Sequence, residues 1–378
     1  MDILIDENIP FLAEALRNSE EHGFALKRFS GRSLTSEALQ NCLALCVRST
    51  TRVDADLVQH TSVRFVGTAT SGSEHIDLDF LRGQGIFFRD ARGCNANSVA
   101  EYVVFAMLLW AEKRGFMGYS EALRGKTLGI IGLGHIGKRV AALGERLGMH
   151  VIGYDPPLLE IGTTAQRSMI TMKNTTTSSL HELISEADCI TNHVPLTGTG
   201  KYATAGMFDE ETLAHLRSEA LFIHASRGGV VMERALENAL KKKNILAALD
   251  VWEGEPSVNA TLAKRCMLAT PHIAGYSYEG KVNGSVIMAR ELERFITKVV
   301  GKPFTVDWSI FERALEQKTV PRLNYSNQAQ MLHELRISRA LEQDTTSFLA
   351  ALDSDKPREA FDNLRKNYPS SERREILV

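Results

Sequence analysis

The stretch that most restricts what this chain can become is Thr127–Asp155, TLGIIGLGHIGKRVAALGERLGMHVIGYD. It opens on a short apolar run, Thr127–Ile131, followed by Gly132, Gly134 and Gly137 in G-x-G-x-x-G spacing. Ile136, Val140, Leu143 and Leu147 then recur at helical intervals, and a second apolar run, Val151–Tyr154, ends in Asp155. Strand, glycine turn, helix, strand and an acid about 20 residues on form the dinucleotide-binding fingerprint. The first glycine permits the tight turn, the second lets a pyrophosphate approach the backbone, and the third lets the helix lie close to the strand. His135 and Ile136 open the helix, whose unpaired N–H groups and positive dipole end suit phosphates.

Asp155 is placed to accept hydrogen bonds from ribose hydroxyls, which favours NAD over NADP. The residues after it, Pro156-Pro157-Leu158-Leu159-Glu160, offer no Arg for a 2′-phosphate. The formal net charge of -2 over 378 residues implies no polyanionic partner, so no nucleic acid is expected. The longest apolar run, Val103–Ala111, is far shorter than the ~20 residues that span a bilayer. No membrane association is expected. Met1–Pro10 lacks the basic start of a signal peptide. Five Cys, odd in number and widely spread, argue for a reducing compartment rather than a disulfide framework. A cytoplasmic location is the expectation. The eleven His form no tract that reads as a metal site, and no metal is expected.

Strands alternate with helices along most of the chain, which predicts parallel sheets covered on both faces. Strands are expected at 2–5, 24–29, 43–47, 63–67 and 86–88, with a helix around 10–17. A capping box, Ser98-Val-Ala-Glu101, is read as opening a long helix over about 98–114 with an apolar face of Val99, Tyr102, Val103, Ala106, Met107 and Trp110. Further on, Ser179-Leu-His-Glu182 caps a short helix, and strands are expected at 189–194, 220–225, 245–251 and 266–270. Helices are expected at 209–216, 232–242 and 278–299, and the Thr/Ser-rich linker between Pro156 and Ser179 reads as a surface loop. From about 304 the composition shifts towards charge, with helical patterns at 327–341 and 358–366. A small α+β docking or dimerisation domain over 304–378 is the economical reading.

Three apolar strands run out into Ser226-Arg227-Gly228, Glu253-Gly254-Glu255-Pro256 and Pro271-His272. Ligands in open α/β sheets sit beyond the carboxyl ends of strands. Beside a nicotinamide cofactor, this set suits oxidation of a 2-hydroxy acid. Arg227 can hold a carboxylate with a two-pronged hydrogen bond. His272 can take the hydroxyl proton near neutral pH, and Glu255 can orient the imidazole. Taken singly, each is more often a structural or solvated residue. Two exits nearer the N-terminus, Arg48-Ser49-Thr50 and Gly67-Thr68-Ala69-Thr70-Ser71, carry the hydroxyls and the cation that an anionic ligand needs. The other reading of both exits is an ordinary strand-exit turn.

The motifs Gly132-x-Gly134-x-x-Gly137, Ser226-Arg227-Gly228, Asp250-Val-Trp-Glu-Gly-Glu255-Pro256 and Pro271-His272-Ile-Ala-Gly275 occur in this order. Together they resemble the D-2-hydroxyacid dehydrogenase superfamily. Arg48-Ser49, Val66-Gly-Thr-Ala-Thr70, Gly93-Cys-Asn95, Gly275-Tyr276 and Phe361-Asp-Asn-Leu-Arg-Lys-Asn-Tyr368 extend the likeness over essentially the whole length. They point to a branch that acts on a phosphorylated 2-hydroxy acid. The resemblance implies Arg227, Glu255 and His272 as catalytic, with Asp155 on the adenosine ribose and Asp250 on the nicotinamide carboxamide. Gly132, Gly134, His135, Ile136, Gly137, Val194, Ala225, Ser226 and Gly275 would line the cofactor, and Arg48, Ser49, Thr70 and Tyr276 the substrate. It further implies a flavodoxin-like substrate lobe over 1–95 and 272–303, a Rossmann NAD lobe over 96–271, and a homodimer made by 304–378. Arg89-Asp90-Ala91-Arg92 departs from the small residues and Pro expected before Gly93. Two other readings share the motifs: the same chemistry on 3-phosphoglycerate or glyoxylate, and a non-catalytic NAD-sensing protein built on the same fold.

Overall fold

The computed structural model describes residues 1–31, 34–118, 120–160, 179–316 and 323–377. They gather into two units, one from the described residues of Met1–Asn95 and Ser277–Val320, the other from those of Ala96–Tyr276 and Pro321–Val378.

The first unit is built on strands β1 (Asp2–Asp6), β2 (Ala25–Phe29), β3 (Cys42–Val47), β4 (Phe65–Thr68) and β5 (Phe87–Asp90). They form a parallel sheet in the order β2-β1-β3-β4-β5, a doubly wound order. Successive side chains on a strand point to opposite faces. Ile3, Ile5, Ala44, Cys46 and Phe65 accordingly feed one core, while Leu4, Leu45, Val47 and Val66 feed the other. That is why the inner strands β1, β3 and β4 are near-continuous apolar runs rather than alternating ones, while the edge strands β2 and β5 carry charges. The helix expected around 10–17 is a single turn, Leu12–Ala15, running into a tighter helix at Arg17–His22. Arg89 and Arg92 reach outward to ion pairs with Glu291 and Asp90, so the two arginines of that departure lie on the surface while Ala91 is buried.

The second unit opens with helix α1 (Ala96–Lys113). Its sheet holds β6 (Thr127–Ile131), β7 (His150–Tyr154), β8 (Cys189–Asn192), β9 (Leu221–His224), β10 (Leu246–Leu249) and β11 (Leu268–Ala269). All are parallel, in the order β11-β10-β9-β8-β6-β7. The chain order reverses at β6, between β7 and β8, and helix α2 (His135–Arg146) starts there. Alternate residues again divide between two cores: Leu128, Ile130, Leu221 and Ile223 on one face, Ile131, Phe222, Ala247 and Leu249 on the other.

Two expectations for α1 are corrected. It is buried on every side from Ser98 to Ala111, not along one face. Its start at Ala96 puts Ser98 and Glu101 inside the helix, so they form no capping box. The Ser98 hydroxyl donates to the Ala274 carbonyl at 2.7 Å, and Glu101 accepts from Ile376 N and Leu377 N at 2.5 Å each. Long-range partners outcompete the local cap because both side chains are buried. Ser179 does cap its helix, accepting from Glu182 N. Within the linker, Pro156–Glu160 is a short helix. The rest of the surface loop expected there, 161–178, lies outside the described residues.

Helix α3 (Tyr278–Phe295) returns the chain to the first unit, capped by Ser277. Among the described residues the C-terminal part is helical, with α4 (Gln328–Arg339), α5 (Leu341–Leu352) and α6 (Pro357–Lys366) and no strand. The expected α+β domain is corrected on two counts. Helix α5 has no counterpart in the sequence reading, and the described residues 323–377 pack as part of the second unit. The physical reason is a set of buried polar ties. Gln328 bonds Leu123 N and Leu147 O, Thr345 bonds Ala269 N, and Arg339 reaches Ser98 O, Glu101 and Ala274 O.

Candidate active site

The glycine turn leaves β6 at the point where strand order reverses. Gly132 has φ +88, which side chains other than glycine rarely adopt. A Cβ on Gly137 would stand 2.0 Å from the Gly132 carbonyl oxygen, so α2 can pack against the turn only with glycine there. A Cβ on Gly134 would meet nothing within 4 Å. The fold itself makes no demand for glycine at 134, and the open space fits a group approaching the backbone just before His135 and Ile136. Val194 and the His193 backbone border the turn, within 3.1 Å of where a Gly132 Cβ would be. Asp155 closes the turn: Oδ2 accepts from Leu133 N at 2.8 Å and Oδ1 from Leu158 N at 3.1 Å. The residues present therefore fit a bound dinucleotide.

At the end of β9, Ala225 and Ser226 are buried. The Ser226 hydroxyl donates to Asn192 Oδ1, and the Asn192 amide contacts His224 Nδ1 at 3.1 Å. Burial lowers His224 to about 3 and His193 to about 3, so both rings are neutral. Arg227 follows, its Nη1 on the Ser226 carbonyl at 2.9 Å. A Cβ on Gly228 would fall 1.9 Å from the Trp252 carbonyl oxygen, so the Arg227 turn lies directly on the loop that leaves β10.

That loop and the one after β11 build the central pair. Glu255 Oε2 lies 2.8 Å from His272 Nδ1, and Glu255 Oε1 accepts from Trp252 N at 3.0 Å. Burial pushes the Glu255 carboxyl up, but its hydrogen bond to His272 and the imidazole charge outweigh this and hold it below its ordinary value. The His272 side chain is 29% exposed and that of Glu255 20%, so the imidazole is open on one side while Nδ1 is engaged. With Nδ1 donating to the carboxylate, Nε2 carries the lone pair.

His272 sits at φ +58, the left-handed region. Asp250 holds it there. The Asp250 carbonyl accepts from His272 N at 2.7 Å, Oδ1 from Ile273 N and the Thr270 hydroxyl at 2.7 Å each, and Oδ2 from Ala274 N at 2.9 Å. The carboxylate is 1% exposed, and burial raises its pKa. The resemblance assigns Asp250 to the cofactor; in the structure the same group clasps the loop that carries His272. Gly275 and Tyr276 follow, with Tyr276 N on the Ile273 carbonyl at 2.8 Å.

In the first unit, Arg48 and Ser49 leave β3 beside the exit of β4, where Ala69 N bonds the Val47 carbonyl. Thr70 donates to the Gly72 carbonyl at 3.1 Å and shares a 2.8 Å hydrogen bond with Thr68. Lys281 of α3 faces Arg48; burial, then that charge, lowers its pKa. Cys94 is buried, the ordinary place for a structural thiol, and none of the five Cys is in a disulfide.

Sequence reasoning missed Asn192 and His224, which support Ser226, and the cations Arg339 and Arg365. No spacing signal marks them, because each acts through a partner far away in the chain.

A family model for the D-isomer specific 2-hydroxyacid dehydrogenase NAD binding domain matches residues 105–274. The erythronate-4-phosphate dehydrogenase of Stutzerimonas stutzeri is 38% identical, over 100% of this chain and 93% of its own. That of Yersinia enterocolitica is 38% identical, over 99% and 93%. Among solved structures, Aquifex aeolicus D-lactate dehydrogenase with NAD and lactic acid is 25% identical, with TM-score 0.60 over 83% of this chain and 98% of that one. Entamoeba histolytica 3-phosphoglycerate dehydrogenase with bound NAD has TM-score 0.62 at 24% identity, over 79% and 96%.

Proposed function

The chain belongs to the D-isomer-specific 2-hydroxyacid dehydrogenases, and among them to the erythronate-4-phosphate dehydrogenases, and on that premise we propose that it oxidises 4-phospho-D-erythronate at C2 to 2-oxo-3-hydroxy-4-phosphobutanoate. It is an NAD-dependent oxidoreductase. The observation that carries the chemistry is the Glu255–His272 contact at 2.8 Å on adjacent strand exits. Glu255 fixes the tautomer in which His272 Nε2 accepts a proton, and that proton comes from the substrate C2 hydroxyl. As the proton arrives, the Glu255 carboxylate stabilises the imidazolium. Arg227 holds the substrate carboxylate in a bidentate pair and polarises the C2 oxygen. When bound, NAD accepts the hydride that leaves C2. Gly132, Gly134, His135, Ile136, Gly137, Asp155, Val194, Ala225, Ser226, Asp250 and Gly275 line its place. Arg48, Ser49, Thr70 and Tyr276 contact the substrate, with Arg48 on the phosphate. Asp250 sets the backbone that presents His272.

The product's place is in pyridoxal phosphate biosynthesis, in the cytoplasm, and the working form is a homodimer made through the C-terminal helices. The test is NADH formation from NAD and 4-phospho-D-erythronate, with D-3-phosphoglycerate in parallel. Turnover with the first and little with the second is the expected result. Turnover with D-3-phosphoglycerate alone would keep the chemistry and overturn the substrate. NAD binding without turnover of either would make the chain a binding protein.

A further inference from the structure

Helix α6 is anchored on the segment that carries Glu255. Trp252 packs against Phe348 of α5 with ring centroids 5.6 Å apart, and Phe348 against Phe361 of α6 at 5.9 Å. All three rings are buried. Residues four apart on a helix share a face, and one turn beyond Phe361 the Arg365 guanidinium lies 5.7 Å from that ring's centre. The ring that fixes the helix therefore also aims the cation. Arg365 donates to the Tyr276 hydroxyl and faces Glu255 and Asp250. Its Nε is buried with no hydrogen-bond partner among the described residues. Tyr276 is held from a second side by Tyr368, edge-on at 5.8 Å, whose hydroxyl donates to Asp344 at 2.9 Å.

We propose that Arg365 is a positioning residue of the active site, fixing the Tyr276 hydroxyl and setting a positive charge beside the Glu255–His272 pair. The proposal rests on reading that pair as the group that handles the substrate proton. Asp250 from the β10 exit, Glu233 from the helix Glu233–Lys242 and neutral His224 from β9 also face it, with Glu253 beside Glu233 and Tyr276 beyond the His272 loop. Without Arg365, the carboxylates of Asp250 and Glu255 would face the imidazole, with Glu233 adding its charge beside Glu255. That field favours the imidazolium, which cannot act as a base. The Arg365 cation, which faces Glu255 and Asp250, offsets that field. The fork of the guanidinium also gives Tyr276 a fixed direction that a lysine would not give.

The test compares R365Q and R365K with the unaltered full-length protein, using exposed K366Q as the control. In R365Q the acid limb of the kcat/KM profile should move to higher pH by about one unit, and KM for the hydroxy acid should rise about tenfold while KM for NAD stays. R365K should bring the limb back and leave KM raised. The His272 imidazole is also titrated by NMR in the NAD complex, where R365Q should raise its pKa and K366Q should not. That readout needs no turnover, so it decides the role of Arg365 even if 4-phospho-D-erythronate is not the substrate. Should R365Q fail to fold, R365M keeps the apolar stem on Phe361 and serves in its place. An unmoved limb together with an unmoved His272 titration would overturn the proposal, as would a rise in KM that R365K fully reverses.

Discussion

Replacing Asp250 with Asn tests whether the loop that carries His272 is held as the structure describes. In the native loop one carboxylate takes three donors: Thr270 hydroxyl and Ile273 N on Oδ1, and Ala274 N on Oδ2. An amide has one acceptor oxygen. If that oxygen takes the place of Oδ1, its NH2 group faces Ala274 N at about the same separation, donor against donor. If the amide flips, Ile273 N is left facing the NH2 group instead. Either way one charge-assisted bond is lost, at about 1.5–3 kcal/mol, and one buried N–H is orphaned, at about 1–3 kcal/mol. The sum is about 2.5–6 kcal/mol, set against a total stability of about 5–15 kcal/mol. At about 2–4 °C per kcal/mol for a unit of this size, the melting temperature should fall by roughly 10 °C. The clasp also holds His272 at φ +58, a conformation that costs about 1–3 kcal/mol and relaxes once unsupported. D250N should therefore lose most of kcat even where it remains folded. The assays are denaturant unfolding and NADH formation on the same preparation. A loss below about 1 kcal/mol with kcat intact would refute the clasp. A rise confined to KM for NAD would leave Asp250 as a cofactor contact alone.

Glu255→Gln would present an NH2 group to His272 Nδ1, move the ring proton to Nε2 and so remove the base; kcat/KM should fall by roughly 10³–10⁴, and retention of a tenth of the activity would sink the tautomer argument. Because Glu255 is held below its ordinary 4.5, its stabilising contribution is present above that value and lost as pH falls through the folded one, so acid unfolding of E255Q should show a shallower loss there. Gly137→Ala must displace the Gly132 carbonyl and should cost about 3 kcal/mol or more, whereas Gly134→Ala should change stability by at most about 1 kcal/mol and weaken NAD binding at least about tenfold; calorimetry and NAD titration on the two variants separate these outcomes. The Glu101–Arg339 pair is almost fully buried at 3.4 Å, and burial pushes Glu101 up to about 7. E101Q should destabilise by about 3–5 kcal/mol, and E101Q/R339M should recover part of that in urea unfolding; equal losses in the single and double variants would count against an uncompensated charge.

The helical C-terminal part shows where sequence patterning runs short. Helix α4 carries an inward Arg339, and α5 buries Leu341, Thr345, Phe348 and Leu352 within the second unit. Neither stripe is purely apolar, so periodicity alone does not separate a helix docked on an existing sheet from one that builds its own core. Ser98 and Glu101 mislead for a related reason. Their spacing is that of a local cap, but in the interior each finds a distant partner, and a buried polar side chain goes where its hydrogen bond is completed.

What the sequence determined by itself is whatever the chain must satisfy locally. The alternation of apolar strands and helices dictates parallel sheets covered on both faces. Gly132 and Gly137 dictate the turn, because only they permit its torsion and its close approach, and Asp155, Arg227, Glu255 and His272 stand at strand exits because apolar runs end just before them. What only the tertiary structure decided is how these exits are held. Asp250 clasps the His272 loop from the neighbouring strand, Ser98 and Arg339 meet on the Ala274 carbonyl across 241 positions, and Arg365 comes to Tyr276 from a helix near the end of the chain. A hydrogen bond between residues so far apart leaves no period or motif in the sequence, since either partner alone is an ordinary polar residue, and its meaning exists only once the fold has brought the two together.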